Sequence, residues 1–490
     1  MRRDGTEDSN YWKLILLIGL LLAFPLAIVP FYPENRPYIP AFLIPSLLSI
    51  AIALAANLHA SRKKITVTQW QSPLEKGGLP VMFTWCFAFF AGAMPFVIGN
   101  QLNFALAIFE SISGWTTTGL TVMDVSVAPR IFLFHRAFMQ FCGGLGFIIM
   151  IAMIVRNKQN MNLYSAEGHP DRLMPSLKKT SQTIFLLYSG FLTIGSMLYH
   201  ISGMPIFDAI CHTMSAISTA GFTTQASSIG QYDNIMIESI TIVLMLVGAT
   251  SFATLWLFVR GRFKELSKVS EMRLMLAMLL IFVPLAAFSL ASHSDMSLGK
   301  SLMNSLFGIV TTFTTTGYST MNYALWPPFA LGLLMLLMIL GGCAGSTAGG
   351  IKLLRAYLLI RVCKDGISSR FSPAQRVTVL SYYRAQGKMQ IDQNLIKDST
   401  GFVFCYLAVF IAGALLLTLT ATCSLFDAMF EFASALGTVG ISNGLTSADA
   451  SIGTLIVLIV GMVLGRLEIY IVFISTATGI KMLKQSLSKS

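Results

Sequence analysis

The chain has 490 residues, of which 54% are hydrophobic and 11% charged, with a net charge of +12. Soluble domains carry about a quarter charged residues, so the composition excludes a soluble globular protein and selects a polytopic membrane protein. The positive surplus does not indicate a nucleic-acid partner, because it is confined to a few loops between apolar runs.

The first apolar run, 13–32, is too long for a cleaved signal and lacks a small-residue cleavage site. A second run, 39–60, follows at once across Pro30, Tyr32-Pro33 and Pro37, so residues 1–70 read as an N-terminal transmembrane hairpin. Eight more runs follow in pairs: 79–99 with 131–155, 182–202 with 235–259, 273–292 with 327–362, and 399–422 with 451–480. The pairs divide the chain into repeats at 71–160, 161–265, 266–365 and 366–490. Each pair encloses a semi-polar run too short to span, at 103–122, 205–224, 300–320 and 424–443. Asp208 after Pro205 and Asp427 after Ser424 look like helix starts within these runs. The expected fold is therefore all-α: a two-helix hairpin plus four membrane–pore-loop–membrane repeats around one central pore.

Basic residues cluster at Arg62-Lys63-Lys64, Arg156–Lys179, Arg260–Arg273, Lys352–Lys397 and Lys481–Lys489. Ten crossings put these clusters on one side with both termini, leaving only Arg36, Arg130, Arg136, Lys300 and Arg466 for the membrane and the other side. Positive-inside bias makes the basic side cytoplasmic. Glu34, Asp124, Asp233, Glu238, Asp295 and Asp449 give the opposite side an acidic character that attracts cations. The seven cysteines (Cys86, Cys142, Cys211, Cys343, Cys363, Cys405 and Cys423) lack CxxC or other ligand spacing and read as small hydrophobes.

Each short run ends in a Thr-x-Gly tripeptide: Thr117-Thr118-Gly119, Thr219-Ala220-Gly221, Thr315-Thr316-Gly317 and Thr438-Val439-Gly440. Aligned on the glycines, the position six residues earlier is Ser113, Ser215, Thr311 or Ser434, and the one after is Leu120, Phe222, Tyr318 or Ile441. Four such loops predict one ring of backbone carbonyls, the device by which proteins replace the hydration shell of a monovalent cation. Glycine permits the backbone turn this requires, and threonine adds a hydroxyl that can hold the loop or face the ion. Glu110 and Glu431 precede their glycines by nine residues, but His212 and Gly308 stand at the equivalent places, so no carboxylate ring exists there. The two glutamates are expected to support the pore helices. His135, His200 and His212 lack ligand spacing and read as structural.

With these loops in place, the chain resembles the bacterial Trk/Ktr potassium-uptake family, most closely its Trk-type membrane subunit. Gly341-Gly342-Cys343-Ala344-Gly345-Ser346-Thr347-Ala348-Gly349-Gly350-Ile351-Lys352 and Gly461-Met462-Val463-Leu464-Gly465-Arg466-Leu467-Glu468 carry the resemblance beyond the loops. It implies potassium held in the twelve-residue filter, no covalently bound cofactor, and location in the bacterial cytoplasmic membrane with cytoplasmic termini. It also implies a homodimer and a cytosolic nucleotide-binding regulatory subunit. In related plant transporters a serine at the first filter glycine accompanies sodium preference, so Gly119 implies potassium. The fourth loop departs from the others, with Gly437 before Thr438 and Ile441-Ser442-Asn443 after the glycine. An asymmetric ring is expected, through which some sodium passes.

The stretch 341–350 is not a phosphate loop, because Ile351 follows Gly350 where a Walker lysine should stand. Gly341, Gly345 and Gly349 also have the spacing of close helix packing. Run 327–362 is, however, far longer than the ~20 residues of one crossing, so its centre can form a loop. By resemblance that loop gates the pore beneath the filter, with Gly345, Ser346, Thr347, Gly349 and Gly350 as gate residues. Arg466 lies in the last apolar run, where charge is costly. It is expected to meet backbone carbonyls or an acid other than Glu468, and by resemblance to stand as an electrostatic barrier at the gate.

An intramembrane enzyme would need HExxH or a nucleophile paired with a base, and the chain has no HExxH, while Asp208 and Asp427 are accounted for as starts of equivalent pore helices. Symporters for other solutes usually show inverted repeats and broken-helix binding sites, whereas these four repeats run in parallel. No buried carboxylate relay stands out, which favours channel-like conduction over H+- or Na+-coupled transport.

Overall fold

The computed structural model describes residues 11–62, 73–146, 150, 176–293, 296–371 and 379–487. The Lys63-Lys64 pair, most of the basic segment 156–179, the end of run 131–155 and Asp295 lie outside the described residues.

Each of the ten apolar runs contains helix. The opening hairpin is α1 (Tyr11–Ala23) and α2 (Ile39–Arg62), joined through two short 3-10 turns containing Pro25, Pro33 and Pro37. Proline fixes φ and removes an N–H, so the chain turns there rather than continuing one helix. The Ser46 hydroxyl then ties the pair by donating to the Gly19 carbonyl at 2.8 Å.

The first repeat holds α3 (Pro73–Ile98), a short α4 (Phe104–Trp115) and α5 (Arg130–Leu145). The second holds α6 (Leu177–Ile201), short α7 (Ile206–Ile217), and α8 (Ile235–Ala249) with α9 (Phe252–Val259). A single turn, α10 (Phe263–Leu266), leads to α11 (Ser270–His293), short α12 (Leu298–Phe313), α13 (Pro328–Ile339) and α14 (Leu353–Ser369). Last come α15 (Gln393–Thr420), short α16 (Leu425–Leu436), α17 (Ile452–Arg466) and α18 (Ile469–Leu487).

Among the described residues five helices are apolar and long enough to cross a bilayer unbroken, and two more runs qualify if each bent pair is one span. The sequence predicts continuous crossings at 235–259 and 451–480, but both break, by 118° between α8 and α9 and by 104° between α17 and α18. The causes are local. The Ser251 hydroxyl accepts the Thr254 N–H at 3.2 Å and so starts a new helix, while Glu468 takes a left-handed φ of 58°. Run 327–362 opens into a thirteen-residue loop between α13 and α14, and α5 ends at Gly146 with φ 84°. Thus the second helix is interrupted in repeats two, three and four, and of these three interruptions the longest is in the third.

Leu47, Leu58, Leu186, Leu280, Phe288 and Leu419 are exposed on the outside of the long helices. An apolar mantle of this kind suits hydrocarbon rather than water. One departure from an all-helical chain is a small hairpin, β1 (Ser381–Arg384) with β2 (Gly387–Gln390), pairing Tyr382 with Met389. Adjacent tyrosines favour a strand, and Gly387 at φ 122° makes the tight return.

Candidate pore loops and intramembrane loop

The four short helices α4, α7, α12 and α16 end alike. The first threonine of each tripeptide has a left-handed φ: 56° at Thr117, 50° at Thr219, 57° at Thr315 and 52° at Thr438. Such a backbone is costly for a β-branched residue, so surrounding bonds must fix it. They are the paired bonds of a Schellman stop. The Thr118 N–H donates to the Ser113 carbonyl at 2.9 Å and the Thr117 N–H to Gly114 at 3.1 Å. The same pair recurs as Ala220 to Ser215 and Thr219 to Ala216, Thr316 to Thr311 and Thr315 to Thr312, and Val439 to Ser434 and Thr438 to Ala435. This explains the Ser/Thr and small residues shared before each glycine: they are the last turn that receives the loop.

The tripeptide glycines also share one conformation, with φ 92° at Gly119, 76° at Gly221, 85° at Gly317 and 91° at Gly440. A Cβ on Gly119 would overlap the Ala220 carbonyl oxygen, one on Gly221 that of Thr316, one on Gly317 that of Val439, and one on Gly440 that of Thr118. The contacts run from loop one to two, three, four and back to one. The structure therefore brings all twelve tripeptide residues into one closed ring, in chain order, with each glycine against the middle carbonyl of the next loop.

The return strands are held from behind by acids. Glu110 accepts from the Thr121 hydroxyl at 2.8 Å and the Val122 N–H at 3.0 Å. It is paired with Arg136 at 2.6 Å, and both side chains are buried. Arg136 in turn donates to the Thr223 carbonyl of the second loop at 3.1 Å and lies 3.9 Å over the Phe222 ring. Asp208 accepts from Thr224, Gln225 and Tyr232. Glu431 accepts from Ser442, the Asn443 N–H and Thr446. The sequence expects Glu110 and Glu431 to support the pore helices; they instead anchor the strands leaving the ring, a carboxylate being able to take several N–H and O–H donors at once. On the same side, Ser126 holds the exposed Asp124 carboxyl below the usual range through its hydroxyl and N–H. His135 and His212 each bond a backbone carbonyl, of Gly92 and Asp208.

The 340–352 loop lies against the opposite, threonine end of the ring. Residues 341–350 are all buried. Its neck is closed by the Gly341 N–H donating to Ile351 at 2.8 Å and the Ile351 N–H to Ile339 at 2.9 Å. The Thr347 hydroxyl lies 3.0 Å from that of Thr219, 3.0 Å from the Gly248 carbonyl and 3.2 Å from that of Ile217. The Gly349 N–H donates to the Thr315 hydroxyl at 2.9 Å. Two filter threonines are thus tied to the loop.

Arg466, at the end of α17, donates to the Thr347 carbonyl at 3.0 Å and to those of Gly143 and Gly144 at 2.5 and 3.4 Å. Its partners here are backbone carbonyls from two other repeats. Glu468 instead pairs with Arg355 at 2.9 Å. Ser346 donates to the Cys343 carbonyl within the loop, and Gly345 and Gly350 supply its left-handed turns, φ 77° and 64°. Sequence reasoning misses Glu271, which accepts the Ala344 N–H at 2.7 Å, and Gln140, which reaches the second loop. Both carry a faint signal: Glu271 is an acid at the start of an apolar run, and Gln140 stands one helical turn after Arg136 in another.

Short helices entering from one side, glycine-bearing loops closed into a ring, and second helices interrupted in three repeats define a pore-loop membrane transport protein. The family profile described as "TrkH: Cation transport protein" matches residues 46–486, and the chain belongs to that family. It is 31% identical to the Trk system potassium uptake protein TrkG of Escherichia coli over 478 residues, covering 94% of this chain and 95% of the relative. It is 30% identical to the Trk system potassium uptake protein TrkH of Vibrio parahaemolyticus over 490 residues, with 95% and 98% covered. The crystal structure of the potassium transporter TrkH from Vibrio parahaemolyticus superposes with a TM-score of 0.81 at 27% identity, covering 95% of this chain and 98% of that one.

Proposed function

We propose that this chain takes up potassium across the bacterial cytoplasmic membrane, with Thr117–Gly119, Thr219–Gly221, Thr315–Gly317 and Thr438–Gly440 as its selectivity filter. The observation that carries the reading is the closed ring of four left-handed Thr-x-Gly turns. A potassium ion sheds water onto neutral carbonyls there at little electrostatic cost, while acids behind the loops keep the carbonyls from collapsing onto it. Inward movement is driven by the membrane potential, about 2.3 kcal/mol per charge per 100 mV.

Loop 340–352 is the gate. Its direct bonds to Thr219 and Thr315 and its contact with Arg466 support this, since conduction along the ring axis has to displace it. Arg466 adds a positive barrier that is relieved when the loop moves. Regulation by a cytosolic nucleotide-binding subunit, and pairing of two chains as a homodimer, follow the family resemblance. A mechanical route for the former exists. The hairpin β1–β2 donates its Tyr383 N–H to Ser270 at 3.0 Å, next to Glu271, which holds Ala344 of the loop. Tyr382 shares an apolar cluster with Ala344, Leu354 and Leu358.

The test is potassium and sodium flux into liposomes, for the unaltered chain and for Gly119→Ser. Serine at φ 92° would be strained and its Cβ would meet the Ala220 carbonyl. Potassium preference that falls in the variant supports the filter. An unaltered chain that passes neither ion, with and without a cytosolic partner, overturns it.

A further inference from the structure

The four loops are alike in backbone but not in what pins their middle residue. In the first, the Thr118 hydroxyl is clasped to that of Thr116 at 2.8 Å, and in the third Thr316 is clasped to Thr314 at 2.9 Å. The second loop cannot make this clasp. Its middle residue is Ala220, and the Ser218 hydroxyl turns back to the Met214 carbonyl at 2.7 Å.

A side chain from another repeat stands where the clasp is missing. Gln140 of α5, fully buried, donates its amide nitrogen to the Ala220 carbonyl at 2.7 Å. Its amide oxygen accepts the Phe222 N–H at 3.2 Å and the Ser215 hydroxyl at 2.5 Å. The orientation is fixed by chemistry: a backbone N–H can only donate, so the oxygen must face Phe222 and the NH2 must face Ala220. In loops one and four the equivalent serine holds the glycine directly, Ser113 accepting the Gly119 N–H at 3.1 Å and Ser434 the Gly440 N–H at 3.0 Å. In loop two Ser215 is given over to Gln140 instead.

We infer that Gln140 is the positioning residue that sets potassium-over-sodium discrimination at the second loop, by bridging Ser215, Ala220 and Phe222 across Gly221. This rests on the filter reading above. A carbonyl ring rejects the smaller ion only while its oxygens resist closing inward. Ala220, without a hydroxyl clasp, resists through Gln140. Arg136, one turn earlier, continues the same support by holding the Thr223 carbonyl.

The experiment measures the potassium-to-sodium permeability ratio in liposomes for the full chain and for Gln140→Met, which has similar length and no hydrogen-bonding amide. The ratio, read from folded protein in the same liposomes, is expected to fall about fivefold, the equilibrium weight of one net hydrogen bond. A filler of core space would move yield and thermal stability but not the ratio. If Gln140→Met does not accumulate, Ser215→Ala withdraws one of the amide's three partners and shifts the ratio in the same direction by less. An unaltered chain that prefers potassium, with a ratio unchanged in whichever variant folds, overturns this inference alone. An unaltered chain without potassium preference overturns it together with the filter reading.

Discussion

Thr347→Val is the sharpest test of the gate, because it removes a hydroxyl and little else. That hydroxyl can donate to one of two carbonyls, Gly248 at 3.0 Å or Ile217 at 3.2 Å, while sharing a hydrogen bond with Thr219 at 3.0 Å. Two bonds are lost at roughly 1 kcal/mol each. The buried carbonyls lose a donor only while the loop is seated, so the whole cost falls on the seated state. A differential of about 2 kcal/mol moves a two-state equilibrium about thirtyfold. Basal potassium flux without any cytosolic partner should therefore rise about thirtyfold, or until the pore is always open. The assay is liposome uptake normalised to folded protein. A variant that folds and conducts at or below the unaltered rate refutes the claim that this contact holds the pore shut.

Two further outcomes concern the charges of Arg136 and Arg466. Arg136→Met strands the Glu110 carboxylate among buried groups, which costs about 3–5 kcal/mol; thermal unfolding in detergent should show it, and adding Glu110→Gln should recover part. A single variant that unfolds like the unaltered protein would mean the pair is not a structural tie. Arg466→Met removes the donor to Thr347, Gly143 and Gly144 together with a positive charge. Potassium flux should rise while the potassium-to-sodium ratio holds, because the filter carbonyls are not among its partners; a flux that stays the same in intact protein contradicts the barrier.

How much of this is legible in the sequence depends on whether the physics is local. The Thr-x-Gly turns are legible because a left-handed stop selects residue types within seven consecutive positions, from Ser113 to Gly119 and its counterparts. The hairpin of α1 and α2 is legible from its prolines. The breaks at Ser251 and Glu468 are not, because both sit inside runs whose hydropathy is that of one continuous span, and hydropathy does not record backbone direction. Likewise the sequence puts Glu110 in a pore run and Arg136 in an apolar run but does not show that they meet, since 26 residues and a turn separate them. Gln140 is less legible still: its partners lie 75 to 82 residues away in the next repeat.

The odd sequence of the fourth loop has a physical reason in the third repeat. Where loops one and three carry the clasping threonines Thr116 and Thr314, loop four has Gly437. A Cβ there would overlap the Met338 carbonyl at the end of α13, just before the gate loop. A Cβ on Gly349 of that loop would likewise overlap the Thr438 hydroxyl, so neither glycine could carry a side chain unless its own neighbour moved. The end of α13 thus occupies the space that a clasping side chain on loop four would need. Gly437→Ala should therefore do two things at once. It should push α13 and the loop outward, raising basal flux, and shift the Val439 carbonyl, lowering the potassium-to-sodium ratio. The φ of Gly437 is −73°, a value any residue adopts, so the effect would come from contact and not from backbone strain. If Gly437→Ala leaves both flux and ratio unchanged, α13 yields freely at Met338, and the asymmetry of the fourth loop needs another cause.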